Sequence, residues 1–280
     1  MTTPGPPAAR AAVLGSPIAH SLSPVLHRAA YEALGLTGWR YDAVECDEGA
    51  LPALLAGLGP EWAGLSLTMP LKRAVLPLLD TATDLTAEVG GANTVVLRDG
   101  RRHGDNTDVY GIVAALIESG VHVPASAAIL GGGATAASAL AALRDLGLGA
   151  ATLVARDPAR AGETIQVAER LGMALSVLSF DKLSVAVDAE LVISTLPSGA
   201  ADPLAGELAG VPALLDVVYS PWPTVLAGAV AAGGGTVVSG FAMLLHQAVR
   251  QVELMTGRAD VPVEAMRAAG EAELARRTAG

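Results

Sequence analysis

Several residue types and charge patterns are scarce in this 280-residue sequence, and each shortage excludes a class of protein. Cys46 is the only cysteine, which excludes an internal disulfide and a cysteine-based metal site, so we expect no metal. The 18 Lys and Arg residues are outnumbered by 28 Asp and Glu, giving a net charge of −10. No run of five basic residues occurs either, so nucleic acid is not expected as a partner. An anionic ligand would need a local cluster of donors.

Charged residues are absent between Asp216 and Arg250. A transmembrane helix needs about 20 apolar residues, but two prolines and the triplet Gly233-Gly234-Gly235 would interrupt one here. We therefore expect a strand, a helix, a second strand and a second helix, and no membrane span. The Pro-rich stretch Met1–Ala9 lacks a basic-then-apolar signal pattern and is interpreted as a short flexible tail, so a cytoplasmic protein is expected.

Apolar runs alternate with helix signals along the chain, which predicts an α/β fold with mostly parallel, covered sheet. The length suits two domains of roughly 100–150 residues each, with the first boundary inside a helix at 108–119. Ser23 is predicted as the N-cap of a helix that has Pro24 in its first turn. Strands are predicted near 11–14, 40–46, 64–68, 127–130, 151–154, 191–194, 214–218 and 236–239, with a hairpin over 94–104. Further helices are predicted at 51–58, 70–79 and 243–256, with another ending at Leu146.

A glycine-rich turn, Gly131-x-Gly133-x-x-Ala136, follows one predicted strand and precedes a predicted helix. In such a turn, backbone N–H groups can approach a pyrophosphate, and the helix N-terminus adds a favourable partial charge. The motif is weak evidence by itself in a chain with 32 glycines. Its strand–turn–helix context predicts a dinucleotide site.

The residues after the next strand bear on the choice between NADP and NAD. An acidic residue there binds the ribose hydroxyls of NAD, whereas an arginine accommodates the 2′-phosphate of NADP. Arg156 comes first, and its guanidinium can stack on adenine and pair with phosphate; Arg160 is a second candidate or a solvated helix charge. Asp157 favours NAD unless it caps the helix that begins at Pro158. NADP is therefore favoured, with NAD left open.

Lys72 and Lys182 are the only lysines, so arginine supplies almost all the positive charge. A group that must exchange a proton cannot be a guanidinium, because a guanidinium does not deprotonate in proteins. Lys72 follows a predicted strand, where α/β active sites lie, and is either a proton donor or an exposed lysine at a helix start. Lys182 has no motif around it and is interpreted as a surface residue.

Short polar side chains crowd three further places. Asn93-Thr94 and the run Asp105–Asp108 bound the predicted hairpin and suit either turns or a polyhydroxylated ligand. Ser21 and Ser23 add two hydroxyls at a helix N-terminus, where anions bind readily.

Six motifs, in this order, resemble those of the shikimate dehydrogenase family, and together with the glycine-rich turn they span Gly15 to Gln247. They are Gly15-Ser-Pro-Ile-Ala-His-Ser-Leu-Ser-Pro24, Ser66-Leu-Thr-Met-Pro-Leu-Lys72, Gly91-Ala-Asn-Thr94, Gly104-Asp-Asn-Thr-Asp108, Asp216-Val-Val-Tyr-Ser-Pro221 and Met243-Leu-Leu-His-Gln247. The resemblance implies an N-terminal α/β substrate domain and a Rossmann-like doubly wound NADP-binding domain, with C-terminal helices packing back on the first. The expected boundaries are 1–110 with 241–280, and 111–240.

The resemblance also implies an activity, the NADPH-dependent reversible reduction of 3-dehydroshikimate to shikimate on the route to chorismate and the aromatic amino acids. It matches Lys72 and Asp108 to the catalytic acid–base pair. Ser21 and Ser23 match residues that hold the substrate carboxylate, and the other substrate-side matches are Ser66, Thr68, Asn93, Tyr219 and Gln247. A monomer or homodimer with a small-molecule substrate is expected.

The implied cofactor-binding set lies mostly in the second domain. Its pyrophosphate turn is Gly131, Gly132, Gly133, Ala134 and Thr135, and its 2′-phosphate clamp is Arg156 and Arg160. Val217 and Gly240 match positions beside the nicotinamide, and Asp84, which matches an acidic residue lining the cleft, is grouped with this set.

Two departures from the family pattern keep alternatives open. Ser66 stands where the family usually has Asn, so one ring contact could be shortened or water-mediated. Ala155-Arg156-Asp157 replaces the usual Asn-Arg-Thr, which weakens the assignment of NADP. The alternatives are an NAD-preferring quinate/shikimate dehydrogenase and a non-catalytic nucleotide-binding paralogue.

Overall fold

The computed structural model describes residues 9–183 and 188–279, with the exception of the Arg160 side chain. It divides the chain into two compact units. The first runs to Thr107 and includes the stretch from Leu245 onward; the second runs from Asp108 to Leu244. The sequence analysis placed these boundaries after residues 110 and 240. Apart from Ala9, the predicted N-terminal tail lies outside the described residues.

The first unit contains a six-stranded mixed sheet in the order β2-β1-β3-β5-β6-β4. Its strands are β1 (Arg10–Gly15), β2 (Arg40–Glu45), β3 (Trp62–Leu67), β4 (Thr81–Ala82), β5 (Thr94–Arg98) and β6 (Arg101–Asp105). β1 pairs in parallel with β2 and β3, whereas β5 is antiparallel to both β3 and β6. The predicted hairpin is thus confirmed as β5–β6. Since Ser66 pairs with Thr94, the end of β3 and the start of β5 lie at the same edge.

Helices cover this sheet, including two from the C-terminal end of the chain. The helices from the first part of the chain are α1 (Ser23–Ala33), α2 (Leu51–Ala56), α3 (Leu71–Ala74) and α4 (Asp84–Val89). The next helix, α5 (Thr107–Glu118), begins at the unit boundary and belongs to the second unit from Asp108 onward. α10 (Gly240–Thr256) belongs to the first unit from Leu245 onward, and α11 (Val263–Ala279) packs on α1. The C-terminal helices therefore pack back on the N-terminal unit, as the family resemblance implies. Leu14, Leu51, Leu65 and Val95 join strands and helix in one apolar core.

Two predictions for the first unit were wrong in detail. Ser23 is not the N-cap of α1; Leu22 holds that position, and Ser23 lies buried within the first turn beside Pro24. The single helix predicted over 70–79 is instead α3 followed by a 3₁₀ turn at Leu76–Leu78. Pro77 explains the break, because it has no N–H to continue the α-helical hydrogen bonds.

The second unit is a doubly wound parallel sheet in the order β12-β11-β10-β7-β8-β9. Its strands are β7 (Ala127–Leu130), β8 (Ala150–Ala155), β9 (Ala174–Ser179), β10 (Leu191–Ser194), β11 (Ala213–Asp216) and β12 (Thr236–Ser239). Its helices are α6 (Ala134–Asp145), α7 (Gly162–Leu171), α8 (Ala205–Leu208) and α9 (Val225–Ala232), with 3₁₀ turns at Pro158–Ala161, Phe180–Lys182 and Asp202–Leu204. The predicted βαβ unit is confirmed as β7–α6–β8, and this strand order is that of a Rossmann fold.

Strands at the centre of this second sheet are buried on both faces, and β7, β10 and β11 are buried throughout. Such strands form continuous apolar runs, which is why the sequence predicts them well. β9 lies at the sheet edge and is only partly buried, so its sequence carries no comparable signal and it was not predicted. Among the described residues, none of the helices has the length and apolar composition needed to cross a bilayer.

Candidate active site

Most of the first unit's candidate residues lie at one edge of its sheet. The loop carrying Ser21 follows β1, and Thr68 follows β3, the parallel neighbour of β1. The Thr68 N–H donates to the carbonyl of Leu14 at 2.9 Å, and the Ser16 N–H donates to the carbonyl of Met69 at 3.0 Å. Two backbone hydrogen bonds therefore join the loops after β1 and β3.

Both ends of the loop from Ser16 to Ser21 are held by charged side chains. Glu45, at the end of β2, accepts hydrogen bonds from Ser16 Oγ at 2.6 Å and from the Ile18 N–H at 3.0 Å. At the far end, Arg277 Nη1 donates to the carbonyl of His20 at 2.6 Å. Ser21 Oγ accepts from the Ser23 N–H at 3.2 Å, so its own hydroxyl hydrogen can point to another acceptor.

Lys72 lies in the short helix α3, close to the loop that carries Asn93. The carbonyl of Lys72 accepts from the Ala92 N–H at 2.8 Å, one residue before Asn93. The carbonyl of Asn93 in turn accepts from the Leu67 N–H at 2.7 Å, which ties the same loop to the end of β3. Lys72 and Asn93 are therefore positioned by one continuous set of backbone hydrogen bonds.

A buried hydrogen-bond network surrounds the Asn93 side chain. Asn93 Nδ2 donates to Gln247 Oε1 at 3.2 Å and to Thr107 Oγ1 at 3.0 Å, while its Oδ1 accepts from the Thr107 N–H at 2.7 Å. Asn93 and Gln247 are 2% and 6% exposed, so these bonds fix the orientation of two buried amides. Gln247 belongs to α10, so the motif that ends at Gln247 lies against the motif that contains Asn93.

Ser66 belongs to the same network but makes different contacts from those expected. Its hydroxyl accepts from Tyr41 Oη at 2.6 Å and donates to Gln251 Oε1 at 2.7 Å, and it is 3% exposed. Gln251 Nε2 donates to Thr94 Oγ1 at 3.0 Å, closing the chain of bonds back to Asn93. The only hydrogen of the Ser66 hydroxyl is thus used inside the protein. A direct contact between Ser66 and the substrate ring stays a prediction. In such a contact, the Ser66 hydroxyl would have to accept a hydrogen bond from the substrate.

Tyr41 and Gln251 were missed by the sequence analysis. Gln251 lies one helical turn after Gln247 on α10, so the i, i+4 spacing was an available signal that both amides share a face. Tyr41 offered no comparable signal, because β2 was predicted only as a strand. Its hydroxyl also forms a hydrogen bond with the Ser23 side chain. Tyr41 therefore links Ser23, a candidate for binding the substrate carboxylate, to Ser66.

His27 lies beneath this network, fully buried in α1. Its ring stacks on Tyr41 with 3.9 Å between centroids, and its Nδ1 lies 2.9 Å from the carbonyl of Ser23, so Nδ1 carries the hydrogen. Within the described structure its Nε2 has no hydrogen-bond partner. Burial lowers the pKa of His27 from 6.5 to about 4, with the bond to Ser23 opposing that shift. His27 is therefore a neutral support for Tyr41 at neutral pH.

The second unit places its candidates along the carboxyl edge of its sheet. Leu130 pairs with Ser194, and Ser194 with Asp216, so the loops after β7, β10 and β11 leave the sheet at one level. The strand order reverses between β7 and β10, and in open α/β sheets ligands bind outside such a switch point. Gly131 lies immediately after β7, at this position.

The three glycines of the turn meet different structural demands. Gly131 has φ +98°, and a Cβ there would lie 2.8 Å from Thr195 Oγ1, so the fold itself requires glycine. Gly132 is anchored through its carbonyl, which accepts from Thr164 Oγ1 at 3.0 Å. Around Gly133, no described atom would lie within 4 Å of an added Cβ.

Gly133 is also the N-cap residue of α6, which receives no side-chain capping bond from the described residues. Glycine at this position therefore leaves an uncapped 12-residue helix open to approach. Thr135 and Ala134 lie in its first turn, whose N–H groups point toward any anion bound there. These residues fit the pyrophosphate of a dinucleotide.

Arg156 and Asp157 follow β8 directly, and their side chains are in different surroundings. Asp157 Oδ1 accepts from the Ala159 N–H at 3.1 Å and caps the 3₁₀ turn at Pro158–Ala161, which confirms the capping interpretation. Arg156 is exposed at the strand end. The contact expected of Arg160 concerns a side chain outside the described residues.

The loop after β11 is braced by Asp216. Its carboxylate accepts from Thr224 Oγ1 at 2.7 Å and from the Val218 N–H at 3.2 Å, and burial raises its pKa. Val217 and Tyr219 are carried by this loop and are partly buried. A Cβ on Gly240 would overlap the carbonyl of Val217, so close packing of these two backbones requires glycine there.

Two acidic candidates remain. Asp108 is 4% exposed in the first turn of α5 and is the first residue of the second unit, whereas Lys72 belongs to the first. Asp84 is exposed at the start of α4, after the N-cap Thr83. Within residues 9–183 and 188–279 there is no group of three His, Cys, Asp or Glu side chains arranged to bind a metal ion.

Two family models match parts of this chain. Residues 13–95 match the shikimate dehydrogenase substrate binding domain, and residues 240–269 match the shikimate 5′-dehydrogenase C-terminal domain. The first match contains the loop after β1, Lys72 and Asn93, and the second contains Gln247 and Gln251.

Whole-length relatives agree with these matches. An NADP-dependent shikimate dehydrogenase of Thermus thermophilus is 36% identical over 97% of this chain and 99% of its own length. The crystal structure of Mycobacterium tuberculosis shikimate dehydrogenase superposes with TM-score 0.88 at 46% identity, covering 94% of this chain and 99% of the other. The Thermus thermophilus enzyme in complex with NADP(H) and shikimate superposes with TM-score 0.82 at 34% identity, covering 94% and 98%.

Proposed function

This chain belongs to the shikimate dehydrogenase family, and from that premise we propose that it catalyses the reversible, NADPH-dependent reduction of 3-dehydroshikimate to shikimate. One observation carries the proposal. The Lys72 carbonyl is bonded to Ala92, the neighbour of Asn93, whose side chain is bonded to Gln247. The proposed proton donor, Lys72, and two amides suited to sugar-like hydroxyls therefore lie close together in the first unit.

Lys72 is proposed as the proton donor. The cofactor, when bound, would supply a hydride to the carbonyl carbon, so that negative charge would develop on the carbonyl oxygen. Lys72, protonated at Nζ, stabilises that charge and donates a proton to the oxygen; in the oxidation of shikimate it accepts the proton back. Asp108, in the first turn of α5, is proposed to be the second member of the pair and to orient the lysine side chain.

Two groups of residues are proposed to bind two parts of the substrate, its carboxylate and its ring hydroxyls. Ser21 and Ser23 are proposed to lie against the carboxylate at the N-terminus of α1, where anions are favoured, with the Ser21 hydroxyl as the donor. Thr68, Asn93 and Gln247 would bind the ring hydroxyls, because amide and hydroxyl groups can each donate and accept. Tyr219 is proposed to approach the substrate from the loop after β11.

NADP is proposed over NAD because of the residues after β8. The carboxylate that would bind ribose hydroxyls, Asp157, is engaged by the Ala159 N–H. The exposed Arg156 is the cation nearest the strand end and suits a 2′-phosphate. Gly133 and the start of α6 are proposed to receive the pyrophosphate, and Val217 and Gly240 to line the nicotinamide pocket.

Steady-state kinetics with NADPH or NADH as the cofactor, and 3-dehydroshikimate or 3-dehydroquinate as the substrate, test this proposal. We expect NADPH oxidation with 3-dehydroshikimate, and kcat/KM for NADPH well above that for NADH. Higher kcat/KM with NADH, or with 3-dehydroquinate as the substrate, would favour the NAD-preferring quinate/shikimate alternative. No turnover with any of the four combinations, together with tight NADPH binding, would favour a non-catalytic paralogue.

A further inference from the structure

The loop carrying Ser21 is held from α11 by a residue that no motif includes. Arg277 Nη1 donates to the carbonyl of His20 at 2.6 Å, and its Nη2 donates to the carbonyl of Ser21 at 3.4 Å. The contact joins residues 257 and 256 positions apart in the sequence. Since a guanidinium presents its donors in a rigid planar fork, both carbonyl groups are held in fixed relation to α11.

Arg277 is itself fixed by Glu273, one helical turn earlier. Arg277 Nε donates to Glu273 Oε1 at 2.7 Å, and the two side chains are only 24% and 17% exposed. This bond uses the Nε edge of the guanidinium and leaves both Nη groups for the loop. Glu273 therefore orients the Arg277 guanidinium, and Arg277 in turn holds the loop.

Arg276 provides a comparison within the same helix. It also pairs with Glu273, through two bonds of 2.8 Å, but its side chain is 72% exposed and, among the described residues, it makes no hydrogen bond to the loop. Both arginines therefore share one acidic partner and one helix, and they differ in contact with the carbonyls of His20 and Ser21.

We propose that Arg277 is a positioning residue for recognition of the substrate carboxylate, acting through the loop at Ser16–Ser21. Its effect depends on the function proposed above, because Ser21 is the intended donor to the carboxylate and Ser23 lies beside it. Ser21 Oγ accepts from the Ser23 N–H and so has its hydroxyl hydrogen to donate outward. That geometry requires the Ser21 backbone to stay in place while the carboxylate binds. Glu45 holds the beginning of the loop, and Arg277 holds its end.

A positioning role predicts a specific division of kinetic effects. The carboxylate is remote from the reacting carbonyl, so a loosened loop weakens substrate binding without altering the proton donor. Hydrogen bonds that involve a charged group contribute about 1.5–3 kcal/mol, so losing this pair should raise the KM for shikimate roughly tenfold or more. The kcat at saturating shikimate and the KM for NADP should both stay within about twofold, because neither depends on this loop.

The experiment compares Arg277→Met with Arg276→Met, and adds Arg277→Lys and Glu273→Gln. We expect the raised KM for shikimate in Arg277→Met, partial rescue in Arg277→Lys, a smaller increase in Glu273→Gln, and no change in Arg276→Met. Equal KM values for Arg277→Met and Arg276→Met would overturn the proposal, as would a loss of kcat alone in Arg277→Met.

Hydrogen exchange on the ligand-free protein supplies a second measurement that does not require turnover. Amides of residues 18–23 should exchange faster in Arg277→Met than in wild type or Arg276→Met, with other segments of the first unit unchanged. Uniformly faster exchange over α1 and α11 would show a general packing defect and overturn the positioning role. Failure of the proposed function itself is distinguishable, because wild-type protein would then show no turnover before any variant is compared.

Discussion

Ser66 Oγ donates a hydrogen bond to Gln251 Oε1 at 2.7 Å, across 185 positions of sequence. The bond links β3 to α10, the first of the two C-terminal helices, inside the first unit. Gln251 also donates to Thr94, and Ser66 also accepts from Tyr41, so all the polar atoms along this path have partners. The residues expected to bind the substrate ring therefore rest on a buried network that closes only when the C-terminal segment is present.

Removing Gln251 should cost stability. In Gln251→Leu the buried hydroxyls of Ser66 and Thr94 lose a partner, for which we expect a loss of about 1–3 kcal/mol. Measurement by chemical denaturation of Gln251→Leu, Ser66→Ala and the double variant gives the coupling between the two side chains. We expect a coupling energy of about 0.5–3 kcal/mol; strictly additive losses would contradict a direct bond.

The same pair shows where sequence-based inference stopped. Ser66 was recognised because it stands in a motif, but its partners Tyr41 and Gln251 are 25 and 185 positions away. Nothing local to Ser66 states that its hydroxyl is used inside the protein. The bond follows from tertiary packing of α10 on the sheet, which residue spacing alone does not determine.

Other elements were predictable because their signal is local. The strand–turn–helix around Gly131 was predicted since buried parallel strands form apolar runs and the turn needs glycine. The helix over 70–79 was predicted too long, although Pro77 was visible in the sequence. Arg277 could not be found at all, because a basic residue near the end of a helix is ordinarily a surface charge.

The glycine turn provides a paired prediction for the cofactor. Gly131→Ala should destabilise the second unit by about 1–3 kcal/mol, because φ +98° is strained for alanine. Gly133→Ala should leave thermal stability nearly unchanged, since its backbone tolerates a Cβ, but should raise the KM for NADPH. Thermal melts and NADPH titrations of both variants measure this. An unaltered KM in Gly133→Ala would remove the support for pyrophosphate binding at this turn.

Arg156 should determine the preference for NADPH over NADH. Arg156→Ala loses a charged hydrogen-bonding partner for the 2′-phosphate, so we expect the KM for NADPH to rise roughly 10- to 100-fold. Activity with NADH should be unchanged, because NADH has no phosphate there. Lys182→Ala, which removes an exposed cation of the same unit, is the matched control. Equal effects of Arg156→Ala on both cofactors would contradict the assignment.

Because His27 is buried in its neutral form, we expect the folded protein to lose stability in mild acid. Its pKa is about 4 in the folded protein against 6.5 for an exposed histidine, so the fold favours the neutral ring. The corresponding stability is present above pH 6.5 and is lost as pH falls from 6.5 toward 4, by up to about 3 kcal/mol.

The measurement is denaturation of wild type, His27→Phe and the exposed control His122→Gln across that pH range. His27→Phe should show a flatter dependence than the other two proteins. If the wild-type and His27→Phe profiles run parallel between pH 6.5 and 4, then His27 does not titrate as described.

The most direct test of the account is single-turnover oxidation of NADPH by 3-dehydroshikimate in wild type, Lys72→Met and Lys72→Arg. Arginine keeps the positive charge but does not exchange a proton at neutral pH, so both variants should lose roughly 10²- to 10⁴-fold in rate. Shikimate affinity measured by equilibrium binding should stay nearly that of wild type. A Lys72→Arg enzyme with close to the wild-type rate would contradict proton transfer by Lys72.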